Sequence, residues 1–444
     1  MTEDKHQMTS IKSQTNPSPP YPSPLPRGEG VRGSKFQIRF GHSVIGIWKL
    51  FGSWDLGFGI CPLMFSLALL VFLAIPAPCL SQVPIKVGAL IPFSGRWEDS
   101  GRECARGVLD AGRWINQRGG IYGKRLEISL IEDTHRPADF IAAFRKLNEA
   151  DRILLLYIYS PETGLALLPH IHFNRIPTLI GSFTSHLANP GKYPYVFSTT
   201  PTTLDLSKIA MRFISERSDM KTRKPKVVFV GSVDHYGKHF LEDVKRYAKT
   251  LEMDIGPDLL ISDPSSSKSI SAALEAMKSY NPDFAYVSLS AKETSFLLQE
   301  AKGMGIPTKW ICGMRAFDES LAPFDGVLGV QPISPFGEDI PGMVDIKEAH
   351  RRWHPHDSHT VSYVEGWATL QVVAETMRRS LPEYMLSRER VKGVLEGFKD
   401  YVTGGLVPPI TITSRDHRPS VESRIFIIKE GRLARYSSFV SIGR

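Results

Sequence analysis

Over most of the chain, short runs of apolar residues alternate with longer stretches in which apolar residues recur every three or four positions. Residues 85–93 predict a strand, and residues 104–120 predict an amphipathic helix that stops at a glycine pair. Strands follow at 126–134 and 153–160, on either side of a helix at 138–150. Strands that alternate with helices of this length indicate βαβ units and therefore an α/β fold with parallel sheets.

The number of these units predicts two lobes. Further strands are expected at 176–183, 226–232 and 283–290, and further helices at 239–251, 271–280 and 293–305. The C-terminal third begins with a predicted helix at 361–380 and ends with predicted strands at 411–414 and 424–431. Because the units before residue 330 exceed what one compact sheet holds, we expect two α/β lobes.

Residues 1–81 have a different composition. Residues 1–33 are polar and rich in proline, which predicts a disordered segment. Residues 64–78 form an uncharged apolar run that is short for a membrane span, so they predict a secretory signal, export to the periplasm, and cleavage after Cys79 or two residues later. An uncleaved anchor at 60–80 is the alternative, and a lipid-modified Cys79 is less favoured. Because the signal begins far into the chain, we expect the native start to lie downstream of the first residue.

Composition excludes several classes of protein. The 444 residues are 42% apolar and 23% charged, which excludes a collagen-like or largely disordered chain. The net charge of +8 comes with no basic run and no helix-turn-helix ahead of the lobes, so we expect no nucleic-acid partner. Four cysteines exclude a disulfide scaffold; beyond the signal only Cys104 and Cys312 remain, and we expect two free thiols.

The motifs of the chain do not predict catalysis. Residues 119–123 (GGIYG) have a glycine spacing that suggests dinucleotide binding, but they end a predicted helix and precede a strand, the reverse of that motif's context. Residues 350–359 contain four histidines and an aspartate at irregular spacing, which favours a solvated loop over a zinc site. We therefore expect no enzymatic activity, no cofactor and no metal.

Polar loops follow four of the predicted strands, at residues 94–101, 160–164, 181–185 and 233–237. In open α/β sheets, ligands bind beyond the carboxyl ends of the strands, often at helix N-termini. The sequence therefore predicts a ligand site among these loops, although the polar residues of any one loop could simply cap a helix.

The order of the segments resembles the type I periplasmic solute-binding proteins of ABC importers, specifically the leucine/isoleucine/valine-binding family. The resemblance extends over about residues 83–431 and is carried by IKVGALIPFSG, INQRGGIYGKRLEISLIEDT, IPTLIGSFTSHLANPGKYPYVFST and NPDFAYVSLSAKETSFLLQEAKGMGIPTKW. It implies two Rossmann-like lobes, joined by a three-strand hinge, that close on a ligand. The first lobe would comprise residues 83–198 and 328–422, and the second residues 199–327 and 423–444.

The resemblance also implies a ligand site. Two loops of the first lobe, at residues 160–164 and 181–185, would hold the ligand's carboxylate. The loop after the first strand would supply an apolar or aromatic wall, and the second lobe would close over the ligand. The implied residues are Trp97, Ser100, Glu162, Thr163, Ser182, Thr184, Tyr236 and Arg315. At Glu162 and Thr163 the chain departs from the Ser-Ser pair that is usual in the family.

Arg315 falls near the position where the family carries an acidic residue that pairs with the ligand's ammonium, although Asp318 is close enough to take that position. With Arg315 there, an anionic ligand is favoured over a free amino acid. The implied function is capture of a small polar ligand (amino acid, amide or carboxylic acid) by a mostly monomeric protein. Delivery to the membrane permease of an ABC importer would follow. A ligand-sensing receptor or regulator of the same fold is the alternative.

Overall fold

Two sheets of mostly parallel strands organise the part of the chain that the computed structural model describes, namely residues 83–181, 184–217, 223–232, 238–381 and 386–444. The predictions for residues 1–81 fall outside these ranges. Ser182 and Tyr236 of the predicted site also lie outside them.

The first sheet has the strand order β2-β1-β3-β4-β5, and every pairing in it is parallel. Its strands are β1 (Ile85–Ile91), β2 (Leu126–Glu132), β3 (Leu156–Ile158), β4 (Thr178–Ile180) and β5 (Val196–Phe197). The central strands β1, β3 and β4 are buried on both faces almost throughout, as expected when helices cover a parallel sheet.

The second sheet has the order β12-β11-β10-β9-β8-β6-β7, with β13 paired to β11. Its strands are β6 (Lys226–Ser232), β7 (Asp254–Ile261), β8 (Phe284–Ser288), β9 (Lys309–Cys312), β10 (Leu328–Gln331), β11 (Glu422–Lys429), β12 (Arg432–Arg435) and β13 (Val440–Ser441). Strands β6 to β10 pair in parallel, and β11 runs antiparallel to its neighbours β10 and β12.

Helices connect the strands. They are α1 (Glu98–Gln117), α2 (Pro137–Arg145), α3 (Pro161–Ala166), α4 (Leu168–Asn174), α5 (Thr203–Glu216), α6 (Lys238–Thr250), α7 (Ser267–Tyr280), α8 (Ala291–Gly303), α9 (Met343–Trp353), α10 (Val361–Ser380) and α11 (Arg388–Leu395). The first lobe is the first sheet with α1–α4 and α9–α11, and the second lobe is the second sheet with α5–α8.

The chain passes between the lobes after β5, after β10 and before β11, which agrees with the expected three-strand hinge. Two predicted boundaries move. Leu328–Gln331 is a strand of the second sheet, so the return to the first lobe comes after Gln331 and not at residue 328. Glu422 likewise begins β11 and belongs with the second sheet. A lobe boundary is set by which sheet a strand joins, and this pairing is not visible in the strand's own sequence.

Helices α1 and α10 pack in backbone contact, and the N-terminal end of α10 lies beside the cleft between the two lobes. A Cβ on Gly107 would lie 2.0 Å from the carbonyl oxygen of Tyr363, and a Cβ on Gly366 would lie 2.1 Å from that of Cys104. Only glycine permits this approach, because any larger residue would push the backbones apart. Glu365, which precedes one of these glycines, is therefore held at a fixed depth in the first lobe.

Several local predictions differ from the structure, and the strand expected at 153–160 is shorter, at Leu156–Ile158. Helix α1 begins at Glu98, six residues earlier than expected, because most of the predicted polar loop 94–101 is helical. Residues 411–414 form no strand and contribute only an isolated bridge between Thr413 and Asp416. Residues 350–353 complete helix α9, so the predicted loop 350–359 is only partly a loop. The predicted helix 361–380 has the observed bounds.

Candidate functional site

A cavity of about 280 Å³ lies between the lobes and is lined by residues of both. The first lobe contributes Arg96, Trp97, Asp99, Ser100, Tyr159, Val361, Ser362 and Glu365. The second lobe and the following hinge segment contribute Ser290, Ala291, Lys292, Ser295, Met314, Arg315, Phe317, Asp318, Ser320, Gln331 and Ile333. The loops after β1 and β3, and those after β8 and β9, therefore meet here at the carboxyl ends of their strands, where α/β sheets bind ligands.

The Arg315 guanidinium crosses from the second lobe and forms a bidentate ion pair with Glu365 of the first. Arg315 Nη1 donates to Glu365 Oε2 at 2.6 Å, and Nη2 donates to Oε1 at 2.8 Å. Arg315 Nη1 also donates to the hydroxyl of Tyr159 at 2.7 Å, and the guanidinium lies 4.1 Å from the centre of that ring. Burial opposes the charge, but the Glu365 carboxylate together with the neighbouring Tyr159 and Tyr157 outweighs it and raises the pKa of Arg315.

Other first-lobe residues also surround the Glu365 carboxylate of this pair. The hydroxyl of Tyr157 donates to Glu365 Oε1 at 3.3 Å, and Cys104 Sγ lies 3.4 Å from that hydroxyl. A Cβ on Gly181 would stand 3.0 Å from both Arg315 Nη2 and Glu365 Oε1, so the strand end at β4 approaches the pair as closely as glycine allows. The ion pair is thus enclosed by polar partners and backbone.

Apart from this pair and Arg96, which pairs with Glu293, the charged residues that line the cavity are Asp99, Lys292 and Asp318, and no ion pair joins any of these three to another described residue. Asp318 Oδ1 accepts hydrogen bonds from the backbone N–H and the hydroxyl of Ser320, at 2.9 and 2.5 Å. Burial raises the pKa of Asp318, and the neighbouring charge of Asp99 adds to this. The cavity can therefore receive a positively charged group at Asp99 and Asp318.

The opposite charge can be received at the start of α8. Ser290 caps this helix, and its side chain accepts a hydrogen bond from the backbone N–H of Glu293 at 3.3 Å. Ser290, Ala291 and Lys292 all line the cavity, so the first turn of a thirteen-residue helix faces it together with a lysine. A helix N-terminus presents free N–H groups and a partial positive charge, which suits a carboxylate.

The structure brings three of the predicted site residues to the cavity: Trp97, Ser100 and Arg315. Glu162 and Thr163 do not line it. The Glu162 carboxylate accepts from Ser160 Oγ at 2.9 Å, and Thr163 Oγ1 donates to the buried Asp133 at 2.9 Å. These contacts belong to the start of α3.

Thr184 also lies outside the lining; its hydroxyl is 3.1 Å from His186 Nδ1. Glu365, Tyr159 and Lys292 line the cavity but were not predicted from the sequence. One signal for Glu365 exists, since it is a single carboxylate within the apolar run VSYVEGWATL at the start of α10.

The predicted solvated loop at 350–359 is instead partly packed into the first lobe. His359 is 5% exposed, its ring stacks on Tyr363 with centroids 3.8 Å apart, and its Nδ1 lies 3.0 Å from Glu103 Oε2. Among the described residues, no group of three or more His, Cys, Asp or Glu side chains is arranged to hold a metal ion. His350 at the end of α9 and His354 after it lie against the ring of His359, whereas His356 is exposed.

Two α/β lobes around a cleft lined by both define a ligand-binding protein. A family model described as "Periplasmic binding protein" matches residues 84–432, and the chain belongs to this family. The Leu/Ile/Val-binding protein homolog 7 of Brucella suis biovar 1 (strain 1330) is 21% identical over 334 residues, covering 71% of this chain and 82% of that protein. The family and this relative place the chain among type I binding proteins of the Leu/Ile/Val-binding kind.

Solved structures share the fold. A branched-chain amino acid ABC transporter protein from Thermus thermophilus with bound valine has a TM-score of 0.73 and 21% identity, covering 82% of this chain and 97% of that one. A fatty acid ABC transporter substrate-binding protein from Thermomonospora curvata has a TM-score of 0.71 and 18% identity, covering 82% and 93%. Within the described ranges, no helix has the length and apolar character that crossing a bilayer requires.

Proposed function

We propose that this protein is an extracytoplasmic solute-binding component of an ABC importer, which captures a small zwitterion, an amino acid, between its lobes and delivers it to a membrane permease. The supporting observation is the charge arrangement of the cavity. Asp99 and Asp318 offer carboxylates to an ammonium, while the start of α8 with Lys292 offers N–H groups and a cation to a carboxylate.

The cavity walls between these two oppositely charged regions suit a short apolar side chain of the ligand. Trp97, Met314 and Phe317 supply apolar surface, and Ser100 and Ser295 supply hydroxyls. A cavity of about 280 Å³ admits a single small molecule. Aromatic and aliphatic walls with a few placed polar groups are the usual composition of small-molecule sites. One structural neighbour has bound valine and another is named for fatty acid transport, which makes amino acids, amides and monocarboxylic acids the compounds to compare.

A ligand screen tests the capture step. The purified protein is titrated with branched-chain and aromatic amino acids, their amides, and aliphatic and aromatic monocarboxylic acids. A ligand at 100 times its Kd stabilises the protein by about 2.7 kcal/mol, which shifts the melting temperature measurably. We expect amino acids to bind and monocarboxylic acids to fail. Binding of monocarboxylic acids alone would contradict the zwitterion assignment.

Matched variants locate the binding. Asp318→Asn removes a cavity carboxylate, and Asp243→Asn removes a surface carboxylate of α6 that pairs with Arg246 at 3.1 Å. We expect the first to weaken amino-acid binding at least about tenfold, since a hydrogen bond to a charged group contributes about 1.5–3 kcal/mol, and the second to leave it unchanged. Uptake of the labelled ligand by cells that lack the gene, restored by the wild type and not by Asp318→Asn, tests the import step.

A further inference from the structure

The Arg315–Glu365 pair lies within the cavity lining, where a ligand would be expected to meet these charges. Both residues face the cavity, and they come from opposite lobes. Their side chains are 13% and 2% exposed, so the pair is largely removed from water. This ion pair joins the two lobes through a bidentate contact across the cleft, as a charged ligand bound between the lobes would.

Glu365 occupies the edge of the guanidinium formed by its two terminal nitrogens, and its carboxylate neutralises the charge of Arg315. Both terminal nitrogens donate to Glu365, and Nη1 donates to Tyr159 as well. We infer that Glu365 is a specificity-determining residue: it is a built-in counter-ion that neutralises Arg315 and thereby prevents a ligand carboxylate from binding at Arg315. This inference rests on the proposed function, because it takes the cavity between the lobes as the ligand site.

Displacement of Glu365 by a ligand carboxylate is unfavourable because of what surrounds Glu365. Its oxygens contact Arg315 and the hydroxyl of Tyr157, and its side chain is 2% exposed. A carboxylic acid that took its place on Arg315 would leave a buried carboxylate without its cation, which is costly in a protein interior. The exclusion therefore follows from burial as well as from occupancy.

Removal of the Glu365 side chain should allow a carboxylate to bind at Arg315. In Glu365→Ala, the guanidinium stays buried without a counter-ion, and the space of the lost carboxymethyl group is open to a small carboxylate from solution. Glu365→Gln removes the charge but fills the space, so it separates the two requirements. Glu375→Ala is the matched control, since Glu375 lies on the same helix and pairs with Arg379 at 2.8 Å on the surface, away from the cavity.

The test is isothermal titration of the full-length wild type and these variants with acetate and propionate. We expect Glu365→Ala to bind at least one of them about tenfold or more tightly than the wild type and Glu375→Ala do, which corresponds to about 1.4 kcal/mol. We expect Glu365→Gln to gain less than Glu365→Ala. Equal affinities in Glu365→Ala and the wild type would overturn the inference.

If Glu365→Ala fails to fold, the variant Arg315→Ala, which removes the other partner of the pair, provides a second test. Arg315→Ala leaves the Glu365 carboxylate buried without its partner. When guanidinium ion is titrated in at millimolar concentrations, we expect this variant to bind it at least about tenfold more tightly than the wild type does. No gain would overturn the inference. The proposed function is judged separately, by whether the wild type binds amino acids, so the two can fail independently.

Discussion

Arg96 and Glu293 reach across the cleft from opposite lobes, with Arg96 Nη2 2.6 Å from Glu293 Oε2. The same carboxylate oxygen accepts the backbone N–H and the hydroxyl of Ser290, both at 2.8 Å, in a capping box at the start of α8. One side chain therefore caps a second-lobe helix and ties it to the first lobe. Arg315–Glu365 is a second ion pair that joins the lobes at the cavity.

The first prediction concerns this contact between the lobes. Arg96→Gln and Glu293→Gln should each weaken ligand binding up to about fivefold, near 1 kcal/mol, because a partly exposed ion pair contributes little more. Glutamine at position 293 still suits a capping box, so stability should change little. A double-mutant cycle on ligand Kd, measured by titration calorimetry, checks it: the double variant should bind no more weakly than either single variant. Fully additive losses would show that the two residues act separately.

The second prediction concerns the contact of α1 with α10. Gly366→Ala should destabilise the protein by about 1–3 kcal/mol, because the new methyl group would overlap the Cys104 carbonyl oxygen. Gly393→Ala on α11 is the control, since nothing lies within 4 Å of its Cβ position and alanine is favoured in helices by up to about 1 kcal/mol. Urea unfolding of both variants gives the comparison. Equal stabilities would contradict the backbone contact.

The third prediction concerns pH. Burial raises the pKa of Glu319 from 4.5 to about 8, even though its Oε2 accepts the backbone N–H of Val361 at 3.0 Å. Between these pH values the unfolded chain releases this proton and the folded protein keeps it, so the carboxyl lowers the free energy of unfolding increasingly as pH rises. Below pH 4.5 both states are protonated and this contribution vanishes.

Glu319→Gln removes the titration and keeps an acceptor for Val361. The stability gained by the variant over the wild type should therefore grow from about pH 4.5 to about pH 8 and level off above it. Urea unfolding of both proteins at several pH values measures the difference, in which the other titrating groups cancel. A difference that stays constant with pH would contradict the raised pKa.

The fourth prediction concerns the thiols. Cys104 and Cys312 are free and fully buried, and burial raises the pKa of each thiol. Because the thiolate is the reactive form, neither should react with iodoacetamide in the folded protein at neutral pH, and both should react in urea. Mass spectrometry of the cysteine peptides distinguishes the sites. Labelling of either thiol in the folded protein, or a peptide linking the two, would contradict the structure.

Much of the fold could be predicted because it depends on local patterns. The helix at Val361–Ser380 follows from the apolar character of its own residues, and β1 follows from an apolar run beside a polar loop. The lobe boundary at residue 328 could not be placed in this way, because Leu328–Gln331 pairs with β9 and β11, and the latter is far along the chain.

The candidate site was predicted only in part. Trp97, Ser100 and Arg315 follow strands that end at the cleft, so the order of segments located them. Glu365 is fifty residues from Arg315 in the chain and lies inside a helix, where a single acidic residue in an apolar run indicates burial but not its partner. Glu162 and Thr163 lie in a polar loop of the expected kind, yet their side chains are used by Ser160 and Asp133.

The sequence by itself determined the alternation of strands and helices, the two α/β lobes and the family, because the spacing of apolar residues is a local property of the chain. Only the tertiary structure decided the charge that the cleft presents. Arg315 alone indicates an anion, whereas Arg315 beside Glu365 is a neutral pair, and the cavity then presents Asp99, Asp318 and Lys292. The physical reason is that the electrostatic role of a side chain is set by its neighbours within a few ångströms, and folding brings those neighbours from distant parts of the chain.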